Sequence, residues 1–222
     1  MLDATATLGH LATVYPAATA VFLHHGLDFS CGGGQTLRDA CWIARLDPAA
    51  VLASIAAPGA APADDALRWD RRPMPELIEH ILARYHEPLH RDFGAIVAVA
   101  HEVERVHRGA RACPRGLAEH LEQVHVDLKL HLAKEEQMLF PMLLAGDRGH
   151  DVHMPVRVMV DEHDDHDASL RRIRELTSDF ALQADAGGTW RGLYAALEQV
   201  EVDLIDHIHL ENNVLFPRAL EG

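Results

Sequence analysis

Residues 121–144 read LEQVHVDLKLHLAKEEQMLFPMLL, and residues 197–220 read LEQVEVDLIDHIHLENNVLFPRAL. The two stretches begin 76 residues apart, and 13 of their 24 positions are identical. Each carries a histidine four residues before a glutamate, His131 with Glu135 and His207 with Glu211. In a helix of about 3.6 residues per turn, positions four apart share a face, so each pair is a ready two-donor chelate. Two equivalent nitrogen-plus-carboxylate pairs predict a two-metal site.

Working outward, amphipathic helical patterns dominate the chain after residue 70, and alternation of the strand kind is absent. Four helices are expected at about 74–108, 115–144, 153–181 and 188–218, separated by turn chemistry at Cys113-Pro114-Arg115-Gly116, Gly146-Asp147-Arg148-Gly149 and Gly187-Gly188. Short connections imply antiparallel neighbours, hence an up-down four-helix bundle built from a duplicated helix pair. Upstream, residues 1–56 read as a small unit of short helices, and the stretch APGAAPADDA at 57–66 suits a connector. The expected organisation is all-α: an N-terminal helical domain over 1–56, a linker over 57–70 and the bundle over 71–222.

A duplicated pair should also place a matching ligand on each preceding helix. His86 lies 45 residues before His131 and His163 lies 44 before His207. Helical phase agrees for His86: Leu82, Leu89, Phe93, Val97 and Ala100 fall within roughly 60° of it at about 100° per residue. On the third helix Val156, Met159 and Leu170 share the face of His163. On the second and fourth, Leu117, Val124, Met138 and Leu193, Val200, Val214 flank the two chelating pairs. A lone histidine on an apolar face is more often a hydrogen-bonded core residue than a ligand, and an i, i+4 hydrogen bond is the ordinary reading of one His/Glu pair. Recurrence within a repeated frame reverses those odds for His131, Glu135, His207 and Glu211, and leaves His86 and His163 about even on pattern alone.

Four histidines and two glutamates facing the interior of a bundle can converge on two metals. A metal offsets the desolvation cost of the buried carboxylates. Imidazole with carboxylate and no thiolate suits non-haem iron, with manganese or zinc as alternatives, and oxo or hydroxo bridges and small exogenous ligands would complete the coordination. Asp127 and Asp203, four residues before the repeated histidines, are candidates to hydrogen-bond them, with helix-surface solvation the equal alternative. His107 and Glu162 are further candidates for that role or for an access path. The Leu-Phe-Pro after each pair reads as packing followed by a proline that ends or kinks the helix.

Charge and cysteine usage bound the remaining classes. A formal net charge of -14 disfavours nucleic acid and anionic membranes as partners. Three cysteines, Cys31, Cys41 and Cys113, with no C-x-x-C spacing indicate neither a disulfide framework nor a zinc-thiolate site. The N-terminus lacks a basic leader and no apolar run is long enough to span a membrane, so the expected location is the cytoplasm. Cys31 stands before three glycines, where a turn would leave an accessible thiol with a lowered pKa; an incidental turn cysteine is the plainer reading, and the plainer one is favoured.

With these residues in view, the chain resembles the iron-sulfur cluster repair di-iron proteins, the RIC family of YtfE or ScdA type, over nearly its whole length. The N-terminal part matches through L-D-F-S-C-G-G-G-Q-T-L. A hemerythrin-like bundle matches through R-Y-H, V-E-R-V-H, H-L-A-K-E-E-Q-M-L-F-P, E-H-D and D-H-I-H-L-E-N-N-V-L-F-P-R-A-L. The resemblance implies two iron ions on His86, His131, Glu135, His163, His207 and Glu211, with the glutamates as bridges. It further implies repair of clusters damaged by nitric oxide or oxidants through iron donation or nitric oxide chemistry. Damaged iron-sulfur proteins would then be the partners, with nitric oxide, oxygen or peroxide as small ligands, and a homodimer is compatible. Family members typically carry two adjacent cysteines where this chain has Ser30-Cys31, so a two-thiol mechanism is in question while a role for Cys31 alone stays open. A hemerythrin-like oxygen or nitric oxide sensor or store without repair activity is the alternative, and a nitric oxide reductase or peroxidase is a third class.

Overall fold

The computed structural model describes residues 2–57, 68–183 and 186–221, and every regular element among them is helical. Four short helices come first: α1 (Leu8–Val14), α2 (Pro16–His25), α3 (Leu37–Ala44) and α4 (Pro48–Ile55). Three have side-chain caps that the sequence supplies, Thr7 accepting from the His10 N–H, Thr36 from Asp39 and Asp47 from Ala49. Their apolar faces close on a core of Leu8, Leu11, Phe22, Phe29, Leu37 and Ile55. Most of the 57–70 linker lies outside the described residues. At its end Trp69 is not part of a loose connector: its ring stacks on His80, centroids 4.1 Å apart, and packs against the bundle.

Four rods form the bundle. The first runs through α5 (Met74–Ile81) and α6 (Glu87–His107), the second through α7 (Leu117–Lys134) and α8 (Phe140–Ala145), the third is α9 (His150–Thr177), and the fourth joins α10 (Gly188–Leu210) to α11 (Phe216–Leu220). Helix α6 packs on α7 and α10, and α9 packs on the same two, as the up-down arrangement requires. Gly116 (φ 85°) and Gly146 (φ 101°) supply left-handed turns that enter the second rod and end it.

Three rods contain one π-helical turn each, at Leu82–His86, Glu135–Leu139 and Glu211–Leu215. In every case a proline, Pro88, Pro141 or Pro217, follows the turn by two residues. An interior proline lacks the N–H and clashes with the carbonyl four residues back, and a widened turn relieves both. Of the two readings of a proline here, ending or kinking the helix, ending does not occur: each rod continues beyond its proline.

The bundle has two apolar cores. One gathers Phe93, Leu121, Leu128, Tyr194 and Leu197 with their neighbours, the other Leu77, Ile81, Phe140, Val156 and Phe216 with theirs. Between them lies a polar layer, and all six predicted ligands are in it.

Candidate metal centre

His86, His131, Glu135, His163, His207 and Glu211 are all buried, none more than 2% exposed. Their ligand atoms form two groups of four, His86, Glu135, His207, Glu211 and His131, Glu135, His163, Glu211, each with every atom within 4.8 Å of the others. Both groups contain both glutamates. The histidines pair across the duplication, one from each half, an arrangement that spacing along the chain does not reveal. The π-turns position three of the six: two open at Glu135 and Glu211, and the third ends at His86.

Around this layer three of the four Nδ1 atoms are held from outside, while His207 Nδ1 is buried without a hydrogen-bond partner. The His86 Nδ1–H donates to Glu136 Oε1 (3.0 Å), the His131 Nδ1–H to Glu162 Oε2 (2.9 Å) and the His163 Nδ1–H to Asn212 Oδ1 (2.8 Å). Lys134 pairs with the other Glu162 oxygen. Committing the proton to Nδ1 leaves a lone pair on each Nε2, the tautomer a metal needs.

The interior fits a cation. His131 Nε2 and His163 Nε2 face each other at 3.2 Å with their protons engaged elsewhere, so neither can donate to the other. His86 Nε2 and His207 Nε2 lie 3.0 Å apart. Glu211 oxygens sit 3.2 Å from His163 Nε2 and 3.1 Å from His207 Nε2, yet all four oxygens of Glu135 and Glu211 lack a hydrogen-bond partner. Burial pushes the His86 imidazole down to about 4 and drives His131 down further, which keeps both neutral. Burial, with Glu211 alongside, raises the Glu135 carboxyl well above its ordinary range. Buried carboxylates without donors beside lone-pair nitrogens are a costly arrangement that a cation offsets.

A family model for the hemerythrin HHE cation binding domain matches residues 77–219, and one for the ScdA_N domain of unknown function (DUF542) matches residues 4–58. The iron-sulfur cluster repair protein YtfE of Musicola paradisiaca is 43% identical over 216 residues, covering 97% of this chain and 96% of that protein. Proteins of the same name from Yersinia pseudotuberculosis and Dickeya chrysanthemi are 42% and 41% identical, each with 97% of both chains covered. The chain belongs to the YtfE family of iron-sulfur cluster repair proteins.

Within this YtfE-family chain, the four auxiliary candidates divide between the two readings left open for them. Asp127 accepts from Gln123 (2.9 Å) and Asp203 from Arg84 (2.6 Å), so neither touches the histidine four residues on. Four residues carry the helix about 40° past one full turn, enough to swing a short side chain to the flank. His107 is half-buried with its ring tilted against Trp190 of the far core (centroids 4.7 Å apart). Of the four auxiliary candidates only Glu162 contacts a ligand. Met138 is half exposed, whereas its repeat counterpart Val214 is buried.

Cys31 is half-buried, and its thiol is pushed up to about 12, chiefly by burial, then by Asp28 and Asp164. A turn beside glycines does not lower a thiol pKa when the neighbours are acidic. Glu136, Asn212 and His166 were not singled out from sequence. The signal for the first two was present: they occupy equivalent places in the repeat, one residue after Glu135 and Glu211. His166 is buried with its ring 4.7 Å from His131, and its imidazole is lowered to about 4, mainly by burial. A cleft of about 760 Å³ lined by Leu82, His86, His90 and Glu136 reaches the His86 side from the surface. A smaller one of about 410 Å³ is lined by His10, Cys31, Asn212 and Asn213. No helix among the described residues is long and apolar enough to cross a membrane.

Proposed function

We propose that this chain repairs damaged iron-sulfur clusters from a centre of two non-haem iron ions. His86 and His207 would hold one ion and His131 and His163 the other, with Glu135 and Glu211 common to both groups. The observation that carries this reading is the sharing of both glutamates by two overlapping ligand groups. Six nitrogen and oxygen donors without a thiolate fit iron and leave coordination positions open. Iron bound there supplies a redox-active centre for small ligands such as nitric oxide, oxygen or peroxide, and a store of metal for a damaged cluster.

The protein's own residues set the conditions. Two apolar cores keep water from the ligand layer, and Glu136, Glu162 and Asn212 hold three imidazoles in the ligating tautomer. The cleft at His86 gives iron a path to and from the surface, with His90 and Glu136 among its lining residues. The names of the relatives favour repair over sensing or storage, and the clients are then damaged iron-sulfur proteins in the cytoplasm.

The test is to measure iron per purified chain, record its absorption, and assay reactivation of an enzyme whose cluster nitric oxide has damaged. About two irons with reactivation support the proposal. Two irons with reversible ligand binding and no reactivation would replace it with the sensor. His131→Ala combined with His207→Ala should abolish iron binding, and unchanged metal content would refute the ligand set.

A further inference from the structure

The repeat sets Glu136 and Asn212 in equivalent positions, and both accept the Nδ1–H of a histidine in the ligand layer. A glutamate would serve His163 as acceptor as well as it serves His86, so acceptance alone does not explain the amide. The other end of Asn212 does. Its Nδ2 donates to the Ser30 carbonyl (3.4 Å) and lies 4.0 Å from Cys31 Sγ. An amide can accept from an imidazole and donate to a carbonyl at once, which a carboxylate cannot.

The carbonyl it meets is firmly placed. Asp28 accepts the backbone N–H groups of Ser30 (3.1 Å), Cys31 (3.0 Å) and Gly32 (2.8 Å), which fixes the loop. Asn213 fastens that loop to the bundle by donating to Phe29 O (3.1 Å) and Ser30 O (2.9 Å). Gly9 and Gly33 make room, since a Cβ on either would fall 2.3 Å or 2.1 Å from Asn213 Oδ1. In the other half Glu136 instead accepts from His90 (2.8 Å) beside the surface cleft.

We propose that Asn212 is a positioning residue through which the N-terminal cysteine loop orients His163, so that this side of the ligand layer is complete only when the N-terminal helices are docked. The inference rests on the metal reading for its consequence, but its first readout needs no metal. In the metal-free full-length protein, ¹⁵N NMR of the histidine side chains should show His163 protonated at Nδ1. Asn212→Leu removes both contacts and should release that tautomer preference and weaken iron binding on the order of 10–100-fold. Asn212→Asp keeps the acceptor and loses the donor. His163 should keep its tautomer in this variant, while amide hydrogen exchange at Ser30 and Cys31 accelerates. Gly33→Ala displaces the loop and leaves the Asn212 amide without its anchor; unlike the charged acceptor of Asn212→Asp, a loose neutral amide should perturb His163 in the same direction as Asn212→Leu. Circular dichroism checks that each variant is folded. An unchanged His163 tautomer and unchanged iron affinity in Asn212→Leu overturn the proposal. A wild-type chain that shows the tautomer but loads no iron overturns the metal reading instead.

Discussion

Cys31 should behave as a sluggish thiol. Its pKa of about 12 against an ordinary 9.0 means that at pH 8 the thiolate fraction falls from about one in ten to about one in ten thousand, roughly a 10³-fold loss of the reactive species. A more basic thiolate is a better nucleophile. With a Brønsted coefficient of about 0.4–0.5, three units return roughly 15–30-fold. The net expectation is reaction about 30–60-fold slower than for the same cysteine in the denatured chain, before any further slowing from burial. The assay is labelling with a small disulfide reagent at pH 8, resolved by peptide mass spectrometry to separate Cys31 from the buried Cys41 and Cys113. The rate should rise about tenfold per pH unit from 8 to 11 instead of levelling near 9, and Asp164→Asn should quicken it by removing one acidic neighbour. Labelling at the denatured-chain rate, or a plateau near pH 9, would refute the argument that burial and acidic neighbours hold the thiol protonated. A thiol role for Cys31 would then require no opening of the loop.

Glu135→Gln should lose iron yet stabilise the metal-free protein by about 1–4 kcal/mol, because it removes a buried carboxylate that lacks donors and faces Glu211. Chemical denaturation of the metal-free forms measures this, and a less stable variant contradicts it. Phe93→Ala, at a site 2% exposed within the core beside α7, should cost about 3–5 kcal/mol by the same measurement. A loss below 1 kcal/mol would mean that this core carries little of the bundle's stability.

The sequence was most legible where one pattern served two ends. His131 and Glu135 sit on the buried face because apolar residues around them recur at helical spacing, and the same spacing makes them a chelate. Duplication extended that reading to His86 and His163. The π-turns were harder to see, because their hydrogen bonds shift by one residue and the apolar rhythm hardly changes. The prolines that accompany them carry the usual signal for a helix end. Asp127 and Asp203 had two equal readings, and the structure favours the surface one: each turns toward the N-terminal side of its helix and accepts from the glutamine four residues before it, Gln123 or Gln199, instead of reaching the histidine four residues after it. For Cys31 the plainer reading was already favoured from sequence, and what sequence could not supply is Asp164, 133 residues away and brought near only by docking of the N-terminal helices.

That docking also accounts for where the two repeats diverge. The ligand positions 131/207 and 135/211 are identical, as are Leu-Phe-Pro at 139–141 and 215–217, so the halves are alike where they build the ligand layer. Between them, Glu136-Gln137-Met138 faces Asn212-Asn213-Val214. Each substitution goes in the direction docking requires. A carboxylate that accepts only becomes an amide that also donates to Ser30 O, an exposed glutamine becomes an asparagine bonded to Phe29 O and Ser30 O, and a half-exposed methionine becomes a buried valine where α1 packs against the turn. A symmetric set of ligands thus stands in asymmetric surroundings: a surface cleft reaches His86, while a cysteine loop lies over the amide that holds His163. Chemistry that differs between the two metal positions would follow from these surroundings, the Glu162 contact of His131 included, since the ligands themselves offer no distinction.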